Sequence, residues 1–251
     1  MSEVFSLLKI KDLKVKVEDK IVLRNVNLEI KNNEIVALLG PNASGKSSLV
    51  KTILGFPEYE VLEGKILFEE KDITLLPIED RVKLGIALCF QDPPGIRNVL
   101  LRKLLVVLGN KNPENFLEEI GFHKDILDRE VNIGFSGGEK KVSEVIQIMT
   151  LNPKLAIFDE LDSGLDAQLL YKMVYFIKDW IMKHNRSGIF VTHRIDFLNI
   201  LKPNYAYVLI NGTIACKGNY IQIWNWIKKC GFNVEKCPLA KKFNLGVKNK
   251  A

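Results

Sequence analysis

Three short segments of this chain carry the residue types that handle a polyphosphate. Gly40-Pro41-Asn42-Ala43-Ser44-Gly45-Lys46-Ser47 has the spacing of a phosphate-binding loop. Its glycines let backbone N–H groups approach the phosphates, its lysine neutralises the β and γ oxygens, and its last serine offers a hydroxyl to Mg²⁺. Ser48 continues the cradle. Leu155-Ala156-Ile157-Phe158-Asp159-Glu160 is an apolar run closed by two carboxylates, the way a buried parallel strand presents acids at its C-terminal edge. Two adjacent acids can divide the work: Asp159 is expected to hold Mg²⁺, directly or through water, and Glu160 to orient and polarise an attacking water. Between these segments lies Phe135-Ser136-Gly137-Gly138-Glu139. A serine and two glycines opening a helical stretch leave several N–H groups free at the positive end of a helix dipole, which again suits a polyphosphate. A chain that already has one such place makes most sense of a second if it serves the nucleotide held by another copy.

The elements that must position these residues are legible in outline. Alternation and β-branched runs predict strands near Leu7 to Val17, Ile21 to Ile30 and Glu34 to Leu39. Gly40 begins a turn into a helix over Lys46 to Leu54, ended by Gly55, where a left-handed cap is cheap. Further strands are expected at Lys65 to Glu69 and Ile86 to Phe90. From Gln91 to Asn152 the pattern becomes helical, entered through Pro93-Pro94-Gly95 and left at Asn152-Pro153. Strand signals return at Lys154 to Phe158, Gly188 to Thr192, Ala206 to Leu209 and Thr213 to Cys216, with an amphipathic helix from Gln168 to His184. Strands and helices thus alternate around an inserted helical lobe, an α/β pattern. Gln91 follows one predicted strand and His193 another, so both are expected at the sheet edge that faces the γ-phosphate, Gln91 also as a ligand of Mg²⁺.

The bulk properties exclude more than they select. At 251 residues the chain has ample core for one large domain, and its net charge of +6 is mild. Only the tail concentrates lysine (Lys236, Lys241, Lys242, Lys248, Lys250), which reads as a solvated end rather than a nucleic-acid patch. The four cysteines (Cys89, Cys216, Cys230, Cys237) lack metal-ligand spacing and read as buried or incidental thiols of a reducing compartment. Val99 to Leu108 is interrupted by Arg102 and Lys103, so no stretch reaches the roughly 18 apolar residues of a membrane span. Met1-Ser2-Glu3 lacks the basic head of a secretion signal, and a cytoplasmic protein without membrane insertion is expected.

Taken together, the phosphate loop, Gln91, the Ser-Gly-Gly-Glu segment, the acidic strand end and His193 stand in the order of the ATP-binding-cassette family, and the chain resembles that family from about Lys9 to Phe232. The resemblance implies a P-loop NTPase core with a mixed, largely parallel sheet, an antiparallel β subdomain and an inserted α-helical subdomain. It implies one domain over 1–251, with the core at about 1–90 and 153–218, the helical insertion at about 91–152 and a C-terminal helix and tail at about 219–251. It implies an Mg-dependent ATPase in which two subunits pair head to tail, so that Ser136, Gly137, Gly138 and Glu139 of one subunit meet the ATP of the other. Asp166 would belong to the loop joining the two sites. Glu160, Gln91 and His193 would be the catalytic residues. Many members stack adenine on an aromatic residue, and Val17 stands at that place, which implies weaker base recognition.

The narrower similarity is to the SufC type, the ATPase of iron–sulfur cluster assembly. It is carried by Phe135-Ser-Gly-Gly-Glu-Lys-Lys141 and Asp162-Ser-Gly-Leu-Asp166, where transporter ATPases more usually have Leu before the signature Ser and Pro-Thr or Pro-Ser after the catalytic Glu. This implies an ATP-dependent homodimer working on SufB/SufD-like scaffold proteins. The alternatives are the nucleotide-binding subunit of a membrane transporter, docked on a permease, and a chromosome or repair ATPase, which would need a coiled-coil insertion or basic groove that the chain lacks.

Overall fold

A computed structural model describes residues 6–90, 92–192, 194–233, 237 and 239. In chain order the elements are β1 (Ser6–Val17), β2 (Lys20–Lys31), β3 (Ile35–Leu39), α1 (Lys46–Leu54), β4 (Glu60–Phe68) and β5 (Lys71–Asp72). There follow α2 (Ile78–Leu84), β6 (Ile86–Cys89), α3 (Leu101–Val107), α4 (Glu114–Ile120), a 3₁₀ turn (Lys124–Asp128), α5 (Gly137–Leu151), β7 (Leu155–Asp159), α6 (Ala167–Lys183), β8 (Ser187–Val191) and α7 (Ile195–Leu201). The chain closes with β9 (Tyr205–Ile210), β10 (Thr213–Gly218) and α8 (Tyr220–Cys230). These elements group into two compact units, residues 1–78 with 202–251, and residues 79–201.

In the first unit, β1 pairs antiparallel with β2 on one side and β4 on the other, and β5 extends β4. Leu8, Ile10, Leu13 and Val15 of β1 are buried while Lys11 and Asp12 are exposed, the half-buried alternation of a sheet with one wet face. β3 runs parallel to β9, and β10 returns antiparallel beside β9. All five residues of β3 are buried, so the strand that delivers the phosphate loop is covered on both faces. Tyr205 and Tyr207 donate from β9 to the Glu29 carbonyl at 2.8 and 2.9 Å, which fastens β2 to the strands beside that loop.

The second unit is built on three parallel strands in the order β6-β7-β8, with Phe158 opposite both Cys89 and Phe190 and Asp159 opposite Val191. Phe158 and Phe190 are fully buried and stacked with centroids 4.6 Å apart. Burying each such ring contributes about 2–3 kcal/mol, so the strand that ends in the acid pair is among the firmest in the unit. α6 buries Leu170, Met173, Val174, Ile177, Trp180 and Ile181, spaced by three and four, against neighbours that include α5 and α7.

Several sequence expectations need correcting. The helical lobe does not begin at Gln91: Pro93-Pro94-Gly95 leads into extended chain, where the Ile96 N–H donates to the Val131 carbonyl at 2.8 Å and Leu100 bridges Glu130, and the first helix of the lobe starts at Leu101. Proline lacks an N–H and drives the residue before it out of the helical region, so two in a row hold the entry extended. The strand expected at Lys65 to Glu69 begins five residues earlier, at Glu60, because its polar N-terminal half gains its order from pairing with β1 rather than from an apolar pattern. α2 and α7, seven residues each, were not anticipated. Two turns are too short for a 3.6-residue period to stand out.

Candidate functional site

The phosphate loop is shaped by glycines that nothing else replaces. Gly40 has φ 156°, and a Cβ there would lie 2.2 Å from the Leu209 carbonyl oxygen and 2.7 Å from the Ser44 hydroxyl. Gly45, at φ 104°, turns the chain into α1, and Ala43 adopts φ 60°. The loop is tied down at Ser44, whose N–H donates to the Pro41 carbonyl at 3.3 Å and whose carbonyl accepts from the Gly212 N–H at 2.9 Å. Asn42 and Ala43 are exposed, Pro41, Ser47 and Ser48 half-buried. Lys46 is buried, and its ammonium donates to the carbonyls of Gly40 and Pro41, both at 3.0 Å, so it curls over the loop from within. The Ser44 hydroxyl is buried and has no hydrogen-bond partner among the described residues. A glycine-walled loop at the N-terminus of a nine-residue helix, with a buried cation and an orphaned hydroxyl, fits a polyphosphate.

In the other unit, Asp159 ends β7 and is 5% exposed. Glu160 leaves the strand at φ 50°, with its N–H donating to Val191 at 3.1 Å and its carbonyl accepting from the Ser163 N–H and hydroxyl at 3.1 and 2.9 Å. That backbone is pinned while the residue occupies a left-handed conformation uncommon outside glycine, a type of strain that collects at functional turns. The Thr192 hydroxyl donates to the Asp162 carboxylate at 2.8 Å and accepts from the Arg194 N–H at 3.0 Å, closing the strand edge that leads to His193. Gln91 and His193 themselves lie outside the described residues, as does the lysine tail (Lys236, Lys241, Lys242, Lys248, Lys250). The donors expected to meet a divalent cation, a serine hydroxyl (Ser47) and a carboxylate (Asp159), are hard oxygen ligands that suit Mg²⁺.

The Ser-Gly-Gly-Glu segment opens α5 as a reciprocal cap: the Ser136 hydroxyl accepts from the Glu139 N–H at 3.3 Å and the Glu139 carboxylate accepts from the Ser136 N–H at 2.6 Å. Ser136 and Gly137 are exposed. Ser136, Gly138 and Glu139 line an open cavity of about 480 Å³ together with His123, Gly164 and Asp166. Asp166 also caps α6, accepting from the Gln168 and Leu169 N–H groups at 2.9 Å each. Burial works against ionisation of Glu139, yet the Ser136 N–H and the Arg129 guanidinium together outweigh it and hold the carboxyl below its usual range. His123, Asp125 and Glu139 lie close enough to share a metal ion, but Arg129 already pairs with that Glu139 carboxylate.

Two residues that the sequence did not single out sit behind the site. The Glu144 carboxylate accepts from the Phe90 N–H at 3.2 Å, and the Lys141 ammonium donates to the carbonyls of Phe90 and Glu160 at 3.2 and 3.4 Å. Glu144 is buried; desolvation pushes its carboxyl up to about 7, against the pull of the Phe90 N–H and the Lys141 charge. Arg129 is the other, and its only trace in the sequence is its place shortly before the Ser-Gly-Gly-Glu segment. Val17, at the end of β1, is half-buried and precedes a turn in which Glu18 has φ 52°. Cys89, Cys216 and Cys237 are buried and Cys230 half-buried, all free thiols, as the spacing led us to expect. Among the described residues no helix is long and apolar enough to cross a membrane.

The family model described as "ABC transporter" matches residues 23–163. The chain is 39% identical over 231 residues to the "Probable ATP-dependent transporter SufC" of Escherichia coli (strain K12), covering 85% of this chain and 93% of that protein. It is 41% identical over 229 residues to the "Probable ATP-dependent transporter ycf16" of Antithamnion sp., covering 84% and 91%. In fold it is similar to a nucleotide-free ATP-binding cassette from an ABC transporter, with a TM-score of 0.76 at 22% identity over 89% of this chain and 95% of that one.

Proposed function

This chain belongs to the ABC transporter family and is an ATP-binding, ATP-hydrolysing cassette; we propose that it is a SufC-type subunit that dimerises on ATP and drives a conformational change in a SufB/SufD-like scaffold during iron–sulfur cluster assembly. Gly40 to Ser48 take the phosphates, with Lys46 against the β and γ oxygens. Mg²⁺, held by Ser47, Asp159 and Gln91, supplies further neutralisation of phosphate charge when bound. Glu160 orients and polarises the attacking water and His193 faces the γ-phosphate. Ser136, Gly137 and Gly138, with Glu139 shaping their loop and Asp166 beside them, meet the nucleotide of the second copy. Phosphoryl transfer depends mainly on positioning and charge neutralisation, so completing the site in trans ties hydrolysis to dimer closure.

The observation that carries this reading is the exposed, capped Ser136-Gly137 turn opening on the same cavity as Gly138 and Asp166, a second phosphate-binding arrangement in a chain that already has a phosphate loop. The SufC assignment is supported by the two relatives at 39% and 41% identity. A second reading, the ATPase subunit of a membrane transporter, is supported by the word "transporter" in both of their names. Affinity capture of the tagged chain from native lysate separates the two. Recovery with soluble scaffold proteins is expected; a chain that pellets with membranes and is released only by detergent would rule out the scaffold reading.

A further inference from the structure

Arg129 makes three different contacts with the segment that opens α5. Its guanidinium pairs with the Glu139 carboxylate, donates to the Gly134 carbonyl at 2.8 Å, and lies over the Phe135 ring with 4.6 Å to the centroid. Its own backbone is fixed on both sides, the N–H donating to Ile126 at 3.3 Å and the carbonyl accepting from Leu101 at 3.0 Å. The residues before and after Ser136 are therefore held by one planar cation whose position is set by the chain behind it. A lysine has neither the fork for carbonyl and carboxylate at once nor the flat face for the ring.

Glu139 gives this arrangement a chemical purpose. Its carboxylate keeps Ser136 in place by accepting from the Ser136 N–H, but it also puts a negative charge beside the turn that is to receive a polyphosphate. The other cationic candidate nearby, His123, is 3.9 Å from Glu139 and already paired with Asp125. Arg129 alone combines contact with Glu139 and a permanent charge.

We propose that Arg129 is a positioning residue for the trans phosphate contact: it fixes the Gly134–Glu139 turn in its receiving shape and cancels the Glu139 charge that would otherwise repel the nucleotide of the second copy. This rests on the reading of Ser136, Gly137 and Gly138 as phosphate contacts. A surface ion pair with no further role would contribute little to stability and nothing to dimerisation.

The test compares Arg129→Ala and Arg129→Lys, each made alone and with Glu160→Gln. Monomer affinity is read with a fluorescent ATP analogue, Mg-ATP-dependent dimerisation by light scattering, turnover by phosphate release, and turn mobility by hydrogen exchange over residues 134–139. Arg129→Ala should bind the analogue within about twofold of wild type while its dimerisation midpoint and kcat worsen by about tenfold or more, the scale of one lost charge-assisted contact. Amides of 134–139 should exchange faster, and Arg129→Lys should recover part of the dimerisation but not the slow exchange. Dimerisation and kcat at wild-type levels in Arg129→Ala would overturn the proposal. Should Arg129→Ala prove too unstable to purify, Arg129→Lys decides alone: wild-type dimerisation or a parallel loss of analogue binding overturns it. If Glu160→Gln by itself forms no ATP-dependent dimer, the two-copy reading falls, and this proposal with it.

Discussion

Glu144 offers a direct measure of which force governs the interior behind the acid pair. Its carboxyl is 8% exposed, accepts one backbone N–H, and has the Lys141 ammonium as a neighbour, yet burial prevails and lifts it from 4.5 to about 7. A carboxyl raised in the folded state keeps a proton that the unfolded chain gives up between pH 4.5 and about 7. Across that window folding stability falls as pH rises, and it levels off above the folded value. At about 1.4 kcal/mol for each pH unit, the accumulated loss is about 3 kcal/mol. Glu144→Gln keeps the shape and an oxygen for the Phe90 N–H but carries no titrating proton. Urea denaturation of both proteins should show stabilities that are alike near pH 4.5 and diverge towards neutrality, the variant ending about 3 kcal/mol ahead above pH 7. Taking the difference between the two removes the histidines and other groups that titrate in the same range. A difference that stays flat, or that grows in favour of wild type as pH rises, would refute the reasoning, since it would mean that Lys141 stabilises the carboxylate more than burial penalises it.

Glu160→Gln should bind ATP about as wild type does, lose roughly 10²–10³-fold in turnover and accumulate as an ATP-bound dimer; a monomer mass by light scattering in saturating Mg-ATP would contradict the two-copy site. Gly40→Ala should cost about 3 kcal/mol and abolish nucleotide binding, because its Cβ meets the Leu209 carbonyl at 2.2 Å and backbone must move. Gly134→Ala, with φ 64° and no atom within 4 Å of the new Cβ, is the control and should cost only about 1 kcal/mol from backbone strain. Equal urea midpoints for the two would show that close approach at Gly40 is not what shapes the loop.

What could be read from the sequence was what depends on near neighbours in the chain. Gly45 and Gly55 bound α1 because each end needs a positive φ, and that requirement is local. Ser136 and Glu139 announce the start of α5 because a reciprocal cap links residues three apart. Asp159 and Glu160 end an apolar run that is all buried, a pattern visible without knowing its neighbours. Pro93-Pro94 was legible as a boundary but not as an extended one, since its hydrogen bonds reach Val131. Glu144 was hidden for a related reason. Within Lys140-Lys141-Val142-Ser143-Glu144-Val145 it reads as one more polar helix residue, and its partner Phe90 is 54 positions away. Arg129 was hidden among charges: it has Asp128 and Glu130 on either side, so nothing local separates a solvated arginine from one that holds Gly134, Phe135 and Glu139 together. The phosphate-binding turns are thus written in local chemistry, while the residues that aim them are written in tertiary contacts. Variants chosen from motifs alone test whether the turns bind, and variants at Arg129 and Glu144 test how they are held.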